Sequence, residues 1–319
     1  MAEAFPRFLA GLAAGLLACA GVLAGGVTLL AAKWPQHLPP PAITNRVDFD
    51  EKLRRLRDGP PMDPEVLAVG SSLTLQHFDG AAFGPPGKAY NGATWGVQMN
   101  QIGYLTGWYL SRFPHVRQLV VMTGPADFRN CDAPTRFFDP GDAAAFIERR
   151  YPLAYFYGKY FDPVGFLTKA VEMADARRDP EKLRRDAYES QPRRTVPAGF
   201  LRTRGLFYGL IHPDPSCFEA FEDLVEDVRA RGIEVAVVLP PINPAYFEQI
   251  PGTREAVAAL VDRIGESLGD KGGVRIIDLR ATPVAASDFF DAFHMRWDIA
   301  QAVSHQAAVA AGPPQAASR

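Results

Sequence analysis

The sequence predicts an α/β fold, three layers deep (α/β/α) around a mostly parallel sheet, preceded by one N-terminal transmembrane helix and carrying a helical insert. Three observations predict it. Strand-length apolar runs alternate with segments of helical spacing along most of the 319 residues. A long run without charge or proline stands near the start of the chain. Residues 128–215 separate two strands by far more than an ordinary crossover requires.

The uncharged run is Phe8 to Ala32, "FLAGLAAGLLACAGVLAGGVTLLAA". About 25 helical residues reach about 37 Å, which covers a hydrocarbon core of about 30 Å with some tilt. Arg7 and Lys33 flank it, too few charges to set an orientation alone. The favoured reading is an uncleaved anchor over residues 8–32. Small residues around "ACAG" also allow a cleaved signal peptide, and "LLAC" ending at Cys19 resembles a lipoprotein cleavage box. The run continues well past Ala20, further than a signal peptide needs. All three readings export the remainder, so the expected location is the bacterial inner membrane, single-pass, with the domain on the periplasmic or extracytoplasmic side. Two small-xxx-small pairs, Gly11/Gly15 and Gly21/Gly25, allow close helix approach in lipid.

A proline-rich spacer follows (33–48, containing "PQHLPPPA"), expected to be extended and semi-rigid. The main domain is expected over 49–311, opening with the short charged helix of "DFDEKLRRLRDG". Apolar runs of strand length come at 65–70, 117–124, 233–241 and 274–280, with "KAYN" (88–91) a weaker one. Helical spacing falls at 97–113, 216–231, 253–268 and 296–311. Near-continuous apolar strands separated by helices argue for parallel strands covered on both faces, with sites at their carboxyl ends. The insert, 128–215, holds the aromatic run "YPLAYFYGKYF" and the charged run "RRDPEKLRRD". Either the aromatics pack inward as a helical subdomain, or the segment is a lid or platform for a sugar ring or a membrane interface. The tail, 312–319, reads as disordered.

Composition narrows the function classes. The formal net charge is −2 with 22% charged residues, so no basic field points to nucleic acid. No His-Glu-x-x-His, zinc-spaced cysteine cluster or phosphate loop occurs, and neither cofactor nor metal is expected. Of three cysteines, Cys19 lies in the anchor; Cys131 and Cys217 lie in the exported part, either as a disulfide or as two buried thiols.

The chemistry is carried by two distant stretches. "VLAVGSSLT" ends an apolar strand on Gly70-Ser71-Ser72, where a serine can cap a helix or stand as a nucleophile at the mouth of a sheet. "SDFFDAFHMRWD" places Asp291 three residues before His294, ahead of the last helix. A serine hydroxyl needs a base, histidine titrates in the right range, and a carboxylate fixes its tautomer. His77, His115, His212 and His305 have no such carboxylate arrangement after a strand, and His37 sits in the spacer.

The combination resembles the SGNH/GDSL hydrolase superfamily. "VGSSLT" is similar to its first block, with Ser72 in the nucleophile position and Ser71 where aspartate usually stands. A reversed assignment, with Ser71 as nucleophile and Ser72 as cap, agrees less well with the other blocks. "NGATWG" (91–96) resembles the second block, which implies an oxyanion-hole role for the Gly96 amide beside that of Ser72. Asp291 and His294 match the fifth block. The third block departs: Gly-x-Asn-Asp appears as "GPAD" (124–127), with Ala126 replacing the oxyanion asparagine, and Asn91, Asn100 and Asn130 lie near it in sequence. The resemblance covers 60–128 and 216–311 and implies a flavodoxin-like sheet.

The anchor, "GSS" and "VVLPPINPAYF" (237–247) look like the family's cell-envelope branch, which includes alginate acetyltransferase-like proteins and the D-alanyl transfer protein of teichoic acid. That implies serine-dependent transfer of a small acyl group, chiefly acetyl, to an envelope or secreted polysaccharide, with a polytopic membrane O-acyltransferase as donor. An esterase or deacetylase using the same triad, and a non-catalytic binding protein of an acylation complex, are the alternatives.

Overall fold

The computed structural model describes residues 4–34, 38–160, 208–269 and 271–314, with Asp162 and Phe166. Among them run, in chain order, α1 (Ala4–Lys33), α2 (Val47–Asp58), β1 (Val66–Ala68), α3 (Ser72–His77), α4 (Gly80–Phe83), β2 (Ala89–Asn91), α5 (Met99–Leu110) and β3 (Gln118–Met122). After these come α6 (Pro140–Ile147), α7 (Leu153–Lys159), α8 (Pro215–Ala230), β4 (Glu234–Leu239), α9 (Pro244–Gln249), α10 (Thr253–Leu268), β5 (Val274–Asp278) and α11 (Trp297–Ala311). They form two compact units. One takes the chain up to Pro60 and resumes at Phe138; the other takes Pro61–Phe137 and the described residues from Tyr208 onward.

The second unit is the expected three-layer α/β/α fold. Its five strands are all parallel, in the order β2-β1-β3-β4-β5. That is the flavodoxin-like order, in which the chain leaves β1 for one neighbour and returns to the other, so a crevice opens at their carboxyl ends. Period-two alternation assigns the faces. Val66, Ala68, Val120, Met122, Ala236, Val238 and Ile277 share one apolar cluster with Phe78 of the α3 end and with Ala307 and Ala311 of α11. The intervening Leu67, Leu119, Val121, Val235 and Val237 are equally buried, on the side where α8 packs against α5, α10 and β4. Coverage thins at the edge, where Ile276 of β5 is 40% exposed. Arg275 on the other face of β5 donates to the Ala311 carbonyl at the end of α11.

Helix ends follow the sequence closely. α8 begins at Pro215 behind Asp214, whose carboxylate accepts from the Ser216 amide, and α10 starts after Gly252, which adopts φ +80°. Cys131 and Cys217 form a disulfide, with Cα atoms 5.1 Å apart, joining the segment after β3 to α8. The Asp214 carboxylate also accepts from the Cys131 amide, and Asn100 of α5 donates to the Cys131 carbonyl.

The first unit holds contacts that the sequence did not disclose. Residues 38–44 of the spacer are buried. Leu38 packs with Val27 and Tyr157, the Pro39 carbonyl accepts from the Tyr157 hydroxyl, and the Asp50 carboxylate accepts from both the amide and the hydroxyl of Thr44. α2, expected to open the main domain, belongs here: Phe49 meets Phe138 at 5.1 Å, and the Arg57 guanidinium lies 4.7 Å over the Phe146 ring and donates to its carbonyl. α7 carries most of the aromatic run. Phe156 packs on Phe146 at 5.1 Å and Tyr157 faces α1, while Tyr151 and Tyr155 stay exposed. The charged run of the insert lies outside the described residues, as does the tail beyond Pro314. α1 is one helix long and apolar enough to cross a membrane, over Leu9–Lys33.

The disulfide closes a loop of 86 residues. Replacing both Cys131 and Cys217 by serine is expected to lower stability by about 2–5 kcal/mol. Denaturant unfolding of parent and double variant, with and without reductant, checks this; the parent with reductant should match the variant.

Candidate active site

The site is built where β1 ends. Past Ala68 the chain continues alongside β2, with the Gly92 amide donating to the Ala68 carbonyl and the Thr94 amide to that of Gly70. Gly70 is the point at which α3 folds back. A Cβ there would stand 2.0 Å from the Thr74 hydroxyl oxygen, an overlap no rotamer of Thr74 relieves without losing its bonds. That hydroxyl donates to the Met122 carbonyl at 2.9 Å and accepts from the Met122 amide at 3.1 Å, pinning the first turn of α3 to the end of β3.

Ser71 and Ser72 then divide their work. Ser71 is the N-cap: its hydroxyl accepts from the Leu73 amide at 3.3 Å and donates to Asp127. Ser72 is the first helical residue, half-buried, and its hydroxyl oxygen lies 2.8 Å from Nε2 of His294. Its own amide sits in the first helical turn, where no intrahelical acceptor exists.

Asp291 and His294 occupy the tip of a tight turn closed by an antiparallel bridge between Phe289 and Met295. The Phe290 amide donates to the His294 carbonyl at 2.8 Å, and the Arg296 amide to the Asp288 carbonyl at 2.7 Å. Asp291 uses both oxygens: Oδ1 accepts from the amides of Phe293 and His294, and Oδ2 lies 2.7 Å from Nδ1 of His294. Burial opposes ionisation of Asp291, but the His294 charge and these hydrogen bonds outweigh it and hold its carboxyl below the usual range. An ionised carboxylate only accepts, so the imidazole proton belongs on Nδ1 and Nε2 is left to accept from Ser72. Asn243, fully buried in the "PPINP" stretch, fixes the turn from behind: its side chain donates to the Asp291 carbonyl and its amide to that of Ala292.

Sequence reasoning assigned no role to three contributors. His77 ends α3, the helix that Ser72 begins, and is completely buried; its Nε2 accepts from the Met295 amide at 2.9 Å. The same short helix therefore touches the His294 segment at both of its ends. Burial, and to a lesser degree the nearby His294 charge, pushes the His77 pKa down to about 3, so it stays neutral with its proton on Nδ1, which has no partner among the described residues. Asp127, in the 3₁₀ turn after β3, accepts from the Thr123 hydroxyl at 2.8 Å and the Gly124 amide at 3.2 Å; burial pushes its pKa up to about 6 despite these bonds. Trp95 brings its ring 5.7 Å from that of His294, and the adjoining Gly96 is exposed with φ +64°. The doublet Asp291/His294 had a spacing that announced itself; the contacts of His77 with Met295 and of Asp127 with Ser71 join positions far apart in the sequence and leave no local spacing.

Of the three asparagines near Ala126 in sequence, two spend their side-chain amides on backbone carbonyls. Asn91 spends its amide on the Thr74 and Leu75 carbonyls, and Asn100 on those of Cys131 and Ala133. Asn130 stands in a turn with φ +58°. Ala126 instead joins an apolar cluster with Leu73, Phe293 and Tyr208. Tyr208 rests on Phe293 at 4.8 Å with the Arg129 guanidinium 5.8 Å over its ring. Burial, then the charge of Asp291, pushes its phenol up to about 12. His115 does meet a carboxylate, Asp63 at 2.7 Å, but both side chains are largely exposed.

No protein-family model matches the chain, and no curated protein matches it. Among solved structures, one from Streptococcus pneumonia, described provisionally as a platelet activating factor, aligns at a TM-score of 0.45 and 13% identity over 89% of this chain and 96% of that one. A likeness this distant assigns neither fold nor activity.

Two substitutions test this construction. Asp127 binds its proton more tightly folded than unfolded, so its contribution is most favourable below about pH 4 and is lost as pH rises to about 6. Asp127→Asn should remove that loss, so that variant minus parent stability rises between pH 4 and 6 and then levels; urea titrations across that range measure it. His77→Phe keeps an aromatic ring but strips the Met295 amide of its acceptor, and should cost about 1–3 kcal/mol in the same assay.

Proposed function

We propose that the chain is a serine-dependent O-acyltransferase, moving a small acyl group, most simply acetyl, onto a cell-envelope or secreted polysaccharide. The observation that carries this is the continuous hydrogen-bonded line from Ser72 Oγ to His294 Nε2 at 2.8 Å and from Nδ1 to Asp291 at 2.7 Å. Such a line lets a neutral hydroxyl attack a carbonyl, because the proton released has an oriented base and the resulting imidazolium a carboxylate.

The reaction runs in two halves. Ser72 Oγ bonds to the acyl carbonyl carbon while its proton passes to His294 Nε2. The oxyanion is held by the amides of Ser72 and Gly96. Collapse breaks the bond to the donor, whose leaving oxygen takes the proton from His294, and the acyl group remains on Ser72. An acceptor sugar hydroxyl then attacks, yields its proton to His294, and displaces Ser72, which is reprotonated. The apolar Ala126 leaves the third-block donor position without an amide side chain, and loss of one such donor can cost about 10²–10³ in rate. A slow second half leaves time for a sugar to replace water.

A membrane donor of polytopic O-acyltransferase type suits the apolar α1, and the Cys131–Cys217 disulfide suits an oxidising compartment such as the periplasm. The second reading is an esterase or deacetylase of envelope carbohydrate, favoured by the half-buried position of Ser72, which solvent reaches.

The full chain in detergent is incubated with an activated acetyl ester and followed by intact mass and by product release. An adduct of one acetyl group on Ser72 is expected, absent in Ser72→Ala and slowed at least 10³-fold in His294→Ala. Discharge by an added oligosaccharide faster than by water favours transfer; rapid discharge by water alone favours the esterase. Equal acetylation of parent and Ser72→Ala would overturn both.

A further inference from the structure

The contact between α1 and α7 bears on where the first unit lies. α1 offers lipid a nearly unbroken apolar surface, with Leu9, Leu12, Leu16, Leu17 and Val22 all exposed. Its last turns are different. Val27 is buried, and Leu23, Leu30 and Ala31 pack with it against Leu38, Leu153 and Tyr157. A Cβ on Gly158 would stand 3.8 Å from Leu23, so the backbone of α7 lies close along this stretch.

A hydrocarbon core takes about 20 helical residues. The apolar span covers 25, from Leu9 to Lys33. Whichever twenty lie in the core, residues 14–28 are among them, and these include Leu23 and Val27. An element packed on those two side chains is therefore carried to the level of the acyl chains.

The composition of α7 and its approach fits such a level. Tyr151, just before α7, and Tyr155 on it are 47% and 39% exposed with ring centroids 4.6 Å apart, while α7 also carries buried Phe156 and Tyr157. Exposed tyrosines with an apolar ring and a polar tip are the side chains favoured at the headgroup boundary. The one charge of α7, Lys159, is paired with Asp142, which also accepts from the Tyr160 hydroxyl. The helix thus brings no unpaired ammonium to the bilayer rim.

We infer that α7 is an interfacial membrane element, seated in the leaflet at the Lys33 end of the anchor with Tyr151 and Tyr155 among the lipid headgroups. The inference rests on α1 spanning a bilayer and is independent of the acyl-transfer chemistry. Unlike a simple tether, this arrangement holds the first unit against the membrane surface.

Spin-label accessibility on the full chain in phosphatidylcholine–phosphatidylglycerol nanodiscs tests it. One sample carries the label on native Cys19, the free cysteine within α1. Two others carry it on Tyr155→Cys and, as a water-facing control on α8, Asp223→Cys, both with Cys19→Ala. Position 155 should show several-fold lower access to a water-soluble nickel chelate than position 223, and higher access to oxygen, at a depth between 223 and 19. Position 151, labelled as Tyr151→Cys, should agree with 155. Nickel access at 151 and 155 equal to that at 223, with position 19 protected, overturns the inference while leaving the anchor intact. Free nickel access at position 19 overturns the spanning helix itself, and this inference with it.

Discussion

Everything at the site depends on how closely α3 lies against the end of β3. Thr74 holds that contact by acting as donor and acceptor to one residue, Met122, through a single hydroxyl. The hydroxyl stands in for the next rung of sheet hydrogen bonding and satisfies two backbone groups that burial would otherwise orphan. Gly70 is the condition for it, since any side chain there would occupy the hydroxyl's place. With the helix so placed, Ser72 faces the base and Ser71 faces the 3₁₀ turn. Two adjacent letters of the same chemistry acquire different surroundings because Ser71 caps the helix with extended backbone while Ser72 is its first helical residue.

The second theme is the concentration of buried polar groups behind the triad. His77, Asp127 and Asn243 are buried, and each holds a backbone segment rather than facing the crevice. His77 holds the strand side of the histidine turn, Asn243 holds its tip, and Asp127 holds the turn that follows β3. Burial keeps His77 uncharged, so it sets no fixed charge against the imidazole, and it pushes the Asp127 carboxyl up to about 6. Asp291 differs in accepting from the imidazole itself, beside two backbone amides, and it is held ionised.

How much of this the sequence disclosed varies by element. The five strands and the long helices could be read from apolar periodicity, and the bounds of α10 fell where expected because Gly252 and Gly269 mark its ends. The separation of Asp291 from His294 was legible because a local turn places both, so three letters of spacing carry the geometry. Ser71 and Ser72 could not be told apart by spacing; the Gly70–Thr74 contact that distinguishes them depends on β3, 48 residues on from Thr74. The packing of α2 and of the proline-rich stretch was not legible for a related reason. Their apolar faces are covered by Phe138, Phe146 and Tyr157, from a part of the chain whose association with them leaves no local pattern.

The first unit is discontinuous in the chain, and this has a consequence for its biosynthesis. Leu153 follows Leu23 by roughly 130 residues. At about 5–20 residues per second, α1 leaves the ribosome on the order of ten seconds before α7 exists to cover it. During that interval Val27 has Leu38 but neither Leu153 nor Tyr157 to rest on, and whatever environment receives α1 must tolerate its partly covered face. The sheet strands β1 to β3 are also complete by then, while β4 and β5 are not. The nascent chain thus waits with a partly covered helix at one end and a half-made sheet at the other, and completion of the anchor's surroundings precedes completion of the site.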